Sequence, residues 1–262
     1  MSPFKHMLAG FGIGAAQVNT QLKNSTVVPG ETLSGVIEIR GGSVAQSIAD
    51  LSLALETEYK REINDSTVWQ TYTFAAQRIS TAFVVQPGET RVFPFAFVLP
   101  TTTPLSIGQQ QVKLRTKLVI PNGVDPSDTD PLFVQPHPLM QQALNAMEAL
   151  GFRLYNAECK YSHYAQGGMP FVQEFEFHPV STYRHDVEEV ELIFNLHAHG
   201  LDILLEIDKR GRGLGGLLAD AYDLNEHFTR LQLPLEQIEQ QAIVRQLDGA
   251  IRQALTPAGF RL

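Results

Sequence analysis

From Gln17 to about Ile120, apolar and polar residues alternate in short segments, each broken by Gly, Pro, Asn or Asp. A period of two puts successive side chains on opposite faces of an extended chain, so these segments are expected to be antiparallel strands with one buried face. Leu51, Leu53 and Leu55 alternate cleanly with Ser52, Ala54 and Glu56. In Thr32 to Arg40 the apolar set Leu33, Ile37 and Ile39 is matched by a polar side that Val36 interrupts. Val28-Pro29-Gly30-Glu31 and Gln86-Pro87-Gly88-Glu89 both place Pro-Gly at the centre of a type II turn, where Pro presets φ and Gly accepts a positive φ. Pro94, inside the run Arg91 to Leu99, removes one ladder donor and marks an edge strand or a bulge.

Residues Pro121 to Pro138 hold five prolines among Asp125, Asp128 and Asp130, and read as a linker or domain crossover. Leu139, Ala143, Ala146, Met147 and Leu150 then recur at helical spacing, with Gly151 where a helix commonly stops. Alternation returns in Arg153 to Tyr161, Val172 to Val180, Val187 to Leu196 and Leu201 to Ile207, so the second half is also mainly β. From Leu235 to Leu255 the apolar positions Val244, Leu247, Ile251 and Leu255 step by three or four, which predicts an amphipathic helix. That stripe needs a surface, either on its own β domain or on a second subunit, a homodimer being the favoured case.

A chain of 262 residues with 44% hydrophobic and only 18% charged residues can bury real cores and is no disordered chain. It carries 20 Lys plus Arg against 28 Asp plus Glu, a net charge of −8, which disfavours nucleic acid as a partner because phosphate binding needs a concentrated basic excess. The single cysteine, Cys159, has no internal disulfide partner, and a reducing, cytoplasmic compartment is expected. No stretch approaches the ~20 apolar residues of a membrane-spanning helix. The glycines at 10, 12 and 14 dilute the apolar N-terminal stretch, which reads as a retained segment leading into a first strand.

Several segments resemble a known family. They are Met7-Leu8-Ala9 through Gly12-Ile13-Gly14-Ala15-Ala16, Val28-Pro29-Gly30-Glu31, and Gly35-Val36-Ile37 with Ile39-Arg40-Gly41-Gly42. In the second half they are His137-Pro138 with the helix to Gly151-Phe152-Arg153-Leu154, Pro170 to Phe177, and Leu205 to Gly216. Together they look like the bacterial sporulation-control protein family, whose members are arrestin-like. The resemblance covers roughly Met1 to Leu233 and is most specific in its last segment. It implies two tandem arrestin-like β-sandwich domains, placed here at 1–125 and 126–233, followed by a helix at 234–262. It also implies a regulatory, adaptor-like role exercised through a protein partner, without catalytic residues or cofactor to carry over.

Gly211, Gly213 and Gly216 satisfy G-x-G-x-x-G. Asp202, Glu206, Asp208 and Lys209 interrupt the strand before them, however, and no βαβ unit follows, so a glycine-permissive loop is the better reading than a dinucleotide site. Lys209, Arg210 and Arg212 make that loop basic and suit it to acidic groups on the other domain or on a partner. His197 and His199 lie two apart and could share a metal from one strand face, with His178 and His185 in the same half. A metal-dependent enzyme using His197 and His199 is the competing reading, although exposed histidines near a hairpin are the better account of the pattern, since no C-x-x-C or H-E-x-x-H spacing supports a metal. Cys159 reads as a buried thiol. Phe74, Phe83, Phe93, Phe95 and Phe97 read as packing residues, with a carbohydrate platform as a minor alternative.

Overall fold

The computed structural model describes residues 14–235 and 239–256, apart from 65, 122, 164, 166 and 211–227. The chain divides into two compact units. The first holds the described residues up to Tyr59 with Val68–Ser106 and Gln110–Gln135; the second holds Lys60–Thr67, Ile107–Gln109 and the described residues from Pro136 onward.

The first unit is built from strands β1 (Gln17–Leu22), β2 (Thr26–Val27), β3 (Thr32–Arg40), β4 (Gln46–Ile48), β5 (Asp50–Ile63), β6 (Ser66–Ser80), β7 (Phe83–Val85), β8 (Thr90–Val98), β9 (Val112–Val119) and β10 (Ser127–Val134), except that β5 after Tyr59 and β6 before Val68 belong to the second. One antiparallel sheet has the order β1-β3-β8. In a second layer β5, β9 and β10 pair antiparallel and β10 pairs parallel with β2, while β4 and β7 form a short ribbon. The inward positions predicted by alternation are buried: Leu33, Ile37 and Ile39 of β3, Leu51, Leu53 and Leu55 of β5, and Leu114 and Leu118 of β9. Each such side chain contributes about 1.5–3 kcal/mol on leaving water. A polar bridge crosses the layers where Thr20 Oγ1 of β1 and Thr116 Oγ1 of β9 lie 2.6 Å apart, both buried and therefore obliged to satisfy each other.

Both Pro-Gly turns form. Gly30 and Gly88 have φ of 89° and 69°, and the Glu31 and Glu89 N–H groups donate to the Val28 and Gln86 carbonyls at 3.0 Å. Among the described residues β8 ends its sheet, with Pro94 opposite Val36. Residues 127–134, read from sequence as part of a linker, are instead the strand β10, and the first unit extends to Gln135. The boundary placed at 125/126 thus falls in front of this unit's last strand. Its prolines misled for a local reason: Pro131 pairs with Lys113 on one side, and β2 reaches β10 only at Phe133 and Val134, so no second ladder needs the missing N–H. Leu132 and Val134 supply the buried face.

The second unit begins with helix α1 (Pro138–Ala149). Strands β11 (Phe152–Tyr161), β12 (Phe171–Pro179), β13 (Val187–His197), β14 (Gly200–Lys209) and β15 (Thr229–Pro234) follow, and helix α2 (Gln240–Leu255) ends it. The strands pair antiparallel in sequence order. Phe175, Phe177, Leu192, Ile203 and Leu205 make the apolar face. The two helices pack on each other, α1 also meeting β11 and α2 meeting β15. Helix α1 stops as the sequence predicts, at Gly151 with φ of 85°.

Helix α2 buries Ile243, Leu247, Ala250 and Ile251, whereas Val244 and Leu255 are half-buried. The expected stripe is therefore half right. The helix starts at Gln240 rather than 235, and the small Ala250, which carries little hydrophobic signal, lies on the face that meets α1 and the sheet. Tyr183 locks this arrangement. Its ring stacks on Phe152 at 5.4 Å, and its hydroxyl donates to Asp248 of α2, whose carboxylate also accepts from Arg252 at 2.7 Å.

Candidate functional site

Alternate residues of β11 to β14 that do not face the helices form a strongly ionic surface. Register sets its rows. Glu176 lies opposite Glu191, which lies opposite Glu206, and Glu189 lies opposite Asp208. Like charges directly across a sheet destabilise it unless something intervenes. Lys160 is one such group: its Nζ lies 2.7 Å from Glu174 Oε2, 3.5 Å from Glu191 Oε1 and 3.9 Å from Glu158 Oε1. Burial alone would lower the Lys160 ammonium, but the surrounding carboxylates outweigh it and hold it above the ordinary lysine range. Glu191 is pushed up to about 7, by burial first and then by Glu174, with Lys160 opposing.

His178 stands at the other end of this surface. Its Nε2 is 2.8 Å from Glu176 Oε1 and 3.6 Å from Glu189 Oε2, and one donor atom from each of the three residues lies within 4.8 Å of the others. Two β-bulges flank it. In β11 the register shifts between Leu154 and Asn156, making Tyr155 the extra residue, and its ring stacks on His178 with centroids 4.3 Å apart and planes 11° from parallel. In β13 the register shifts between Val187 and Glu189. Bulges re-aim side chains in this way. The Glu189 carboxyl is raised by burial and then by the Glu176 carboxylate, with Asp208 adding to it and His178 opposing.

The residues singled out in the sequence are placed differently. His197 ends β13, and its Nε2 lies 3.5 Å from Asp202 Oδ2 while its Nδ1 accepts the His199 N–H at 3.2 Å. The His197 and His199 rings are 6.1 Å apart. Asp202 is already engaged, by Arg230 at 2.5 Å and Gln232 at 3.0 Å; burial would raise it, but these bonds outweigh that and hold its carboxyl below the usual range. Lys209 ends β14. The Arg210 N–H donates to the Asp186 carbonyl and its Nε to that of Val187. Arg212 and the glycines 211, 213 and 216 lie outside the described residues. Strand β14, which leads to them, pairs antiparallel with both neighbours, the opposite of a βαβ unit. Phe95 is buried, and Phe83 packs on Phe93 with centroids 5.2 Å apart. The first unit carries a polar groove of 260 Å³ whose lining includes Glu56 and Arg115, an ion pair at 3.9 Å.

Glu176 and Glu189 were not singled out from the sequence. The available signal was parity: Glu174, Glu176 and His178 alternate with Phe175 and Phe177, and Glu189 and Glu191 flank Val190, so both strands turn their charges to one face.

Residues 4–211 match the model of the Spo0M family, described as SpoOM protein. The chain belongs to the Spo0M family. It is 42% identical over 240 residues to the sporulation-control protein Spo0M of Bacillus subtilis, covering 91% of this chain and 93% of that one. The crystal structure of Spo0M from B. subtilis superposes with a TM-score of 0.86 at 40% identity, over 92% of this chain and 99% of the other. The family resemblance read from the sequence is thereby shown. So is the mainly β fold with a short helix opening the second half and a helix near its end. No helix among the described residues is long and apolar enough to cross a membrane.

Proposed function

We propose that this Spo0M family member is a non-enzymatic, cytoplasmic regulatory adaptor that acts by binding another protein. The observation that carries this reading is the 42% identity, across 91% of the chain, to a protein named for sporulation control. Lys209, Arg210 and Arg212 are the contact candidates. Lys209 and Arg210 stand at the sheet end where β14 leaves the described residues, with Arg210 exposed, so they suit an acidic segment of a partner. The helix stripe is a weaker contact candidate, because Leu247 and Ile251 are already buried within their own unit. Association into a homodimer therefore has to use another surface, such as the β8 edge.

The test is crosslinking capture of the full chain in its native host, followed by binding measurements between the purified chain and the protein recovered. Replacing Lys209, Arg210 and Arg212 together by Ala is expected to weaken that binding at least tenfold while leaving the far-ultraviolet circular dichroism unchanged. Exposed ionic contacts contribute little to folding, about 0–1 kcal/mol each. Recovery of no protein above the background of an unrelated chain would overturn the adaptor reading. Unchanged affinity in the triple variant would remove the basic segment from it.

A further inference from the structure

Glu176, His178 and Glu189 differ from an ordinary acidic patch in holding a nitrogen donor between two carboxylates. Four-coordinate zinc with bonds of about 2.0–2.1 Å places neighbouring donor atoms about 3.3 Å apart. The two separations from His178 Nε2, 2.8 Å to Glu176 and 3.6 Å to Glu189, bracket that value. All three side chains project from one face of two hydrogen-bonded strands, so small rotamer changes suffice to close the set on an ion. The imidazole plane is fixed from outside by the Tyr155 ring, which the β11 bulge delivers. Such outer support orients a ligating histidine.

The wider surface favours a cation at this end. Lys160 serves Glu158, Glu174 and Glu191. Glu176 and Glu189 pair with His178, and the facing Asp208 adds negative charge beside Glu189. We propose that Glu176, His178 and Glu189 form a binding site for a divalent transition ion of the zinc class, clipping β12 to β13. One imidazole with two carboxylates suits zinc better than magnesium or calcium, which prefer all-oxygen sets. Three protein ligands leave a fourth position open to water or to a carboxylate from a bound partner.

The full chain, free of any affinity tag and dialysed against a chelator, is titrated calorimetrically with zinc chloride and separately with magnesium chloride. One equivalent of zinc is expected to bind at least a hundredfold more tightly than magnesium. His178→Ala and Glu189→Gln are each expected to weaken zinc binding at least tenfold, and His197→Ala/His199→Ala to leave it unchanged. Using both single variants, with circular dichroism as a check on folding, protects the test against one of them misfolding. Absence of stoichiometric zinc binding would overturn the proposal. Magnesium binding equal to zinc, zinc binding intact in both single variants, or loss confined to the His197/His199 double variant would each overturn it as well.

Discussion

Replacing Leu247 by Ala is expected to destabilise the second unit by about 3 kcal/mol, within the range for large-to-small changes in a core. Leu247 is fully buried at the centre of the α2 face that meets α1 and the sheet. Helix α2 draws little stability from its own ends. Its N-cap residue Glu239 makes no side-chain capping bond, and 16 residues in isolation are marginal as a helix in water. Packing therefore decides whether it stays folded. Leu255→Ala, at a half-buried position on the last turn, is the paired control and is expected to cost under about 1 kcal/mol. Guanidinium unfolding followed by circular dichroism measures both. Equal losses in the two variants would mean that the helix presents the stripe read from spacing alone, and not the face centred on Leu247.

The second large effect is on pH dependence. In a chelator-containing buffer the second unit is expected to gain stability as pH falls from 8 to about 5.5, and Glu191→Gln is expected to flatten much of that gain. Glu191 takes up its proton at about 7 in the folded chain, against an ordinary value of 4.5. Between those values the native state holds more protons than the unfolded state, so its stability falls as pH rises through the interval. The favourable contribution is complete below the lower value and lost above the upper one. Over the window from pH 8 to 5.5, which covers only part of that interval, roughly 2 kcal/mol is at stake. Asp202 and Asp248, whose carboxyls are held below their ordinary range, act in the opposite sense only in more acid solution, outside this window. Parallel stability curves for the wild-type chain and Glu191→Gln across pH 5.5–8 would show that Glu191 is not the group responsible.

Much of the fold was legible because its signals are local. Alternation located β11 to β14 to within a residue or two, and Pro-Gly pairs and Gly151 marked their turns and stop without any knowledge of partners. Strand β10 was hidden because proline density carries the same signal in a linker and in a strand whose outer side is mostly unpaired. Strand β15 went unrecognised because its alternation, Leu231 and Leu233 beside Arg230 and Gln232, lasts only six residues. The site was harder for a different reason. Glu176 shares β12 with His178, two residues away, but Glu189 belongs to β13, and only the register between the two strands, together with a bulge, makes it a neighbour of His178. Close spacing drew attention to His197 and His199 instead, but the strand ends at His197, so the second histidine leaves the face that the first occupies.

Cys159 sits in β11, fully buried, with its thiol pushed up by burial and by the Glu158 and Glu174 carboxylates. Thiol reagents attack the thiolate, so the folded sheet withholds both access and the reactive form. Any modification at this sulfur must wait for β11 to part from its neighbours. The chain thus carries an internal clock: its labelling rate counts openings of the second unit, with no probe introduced and no second thiol to blur the reading.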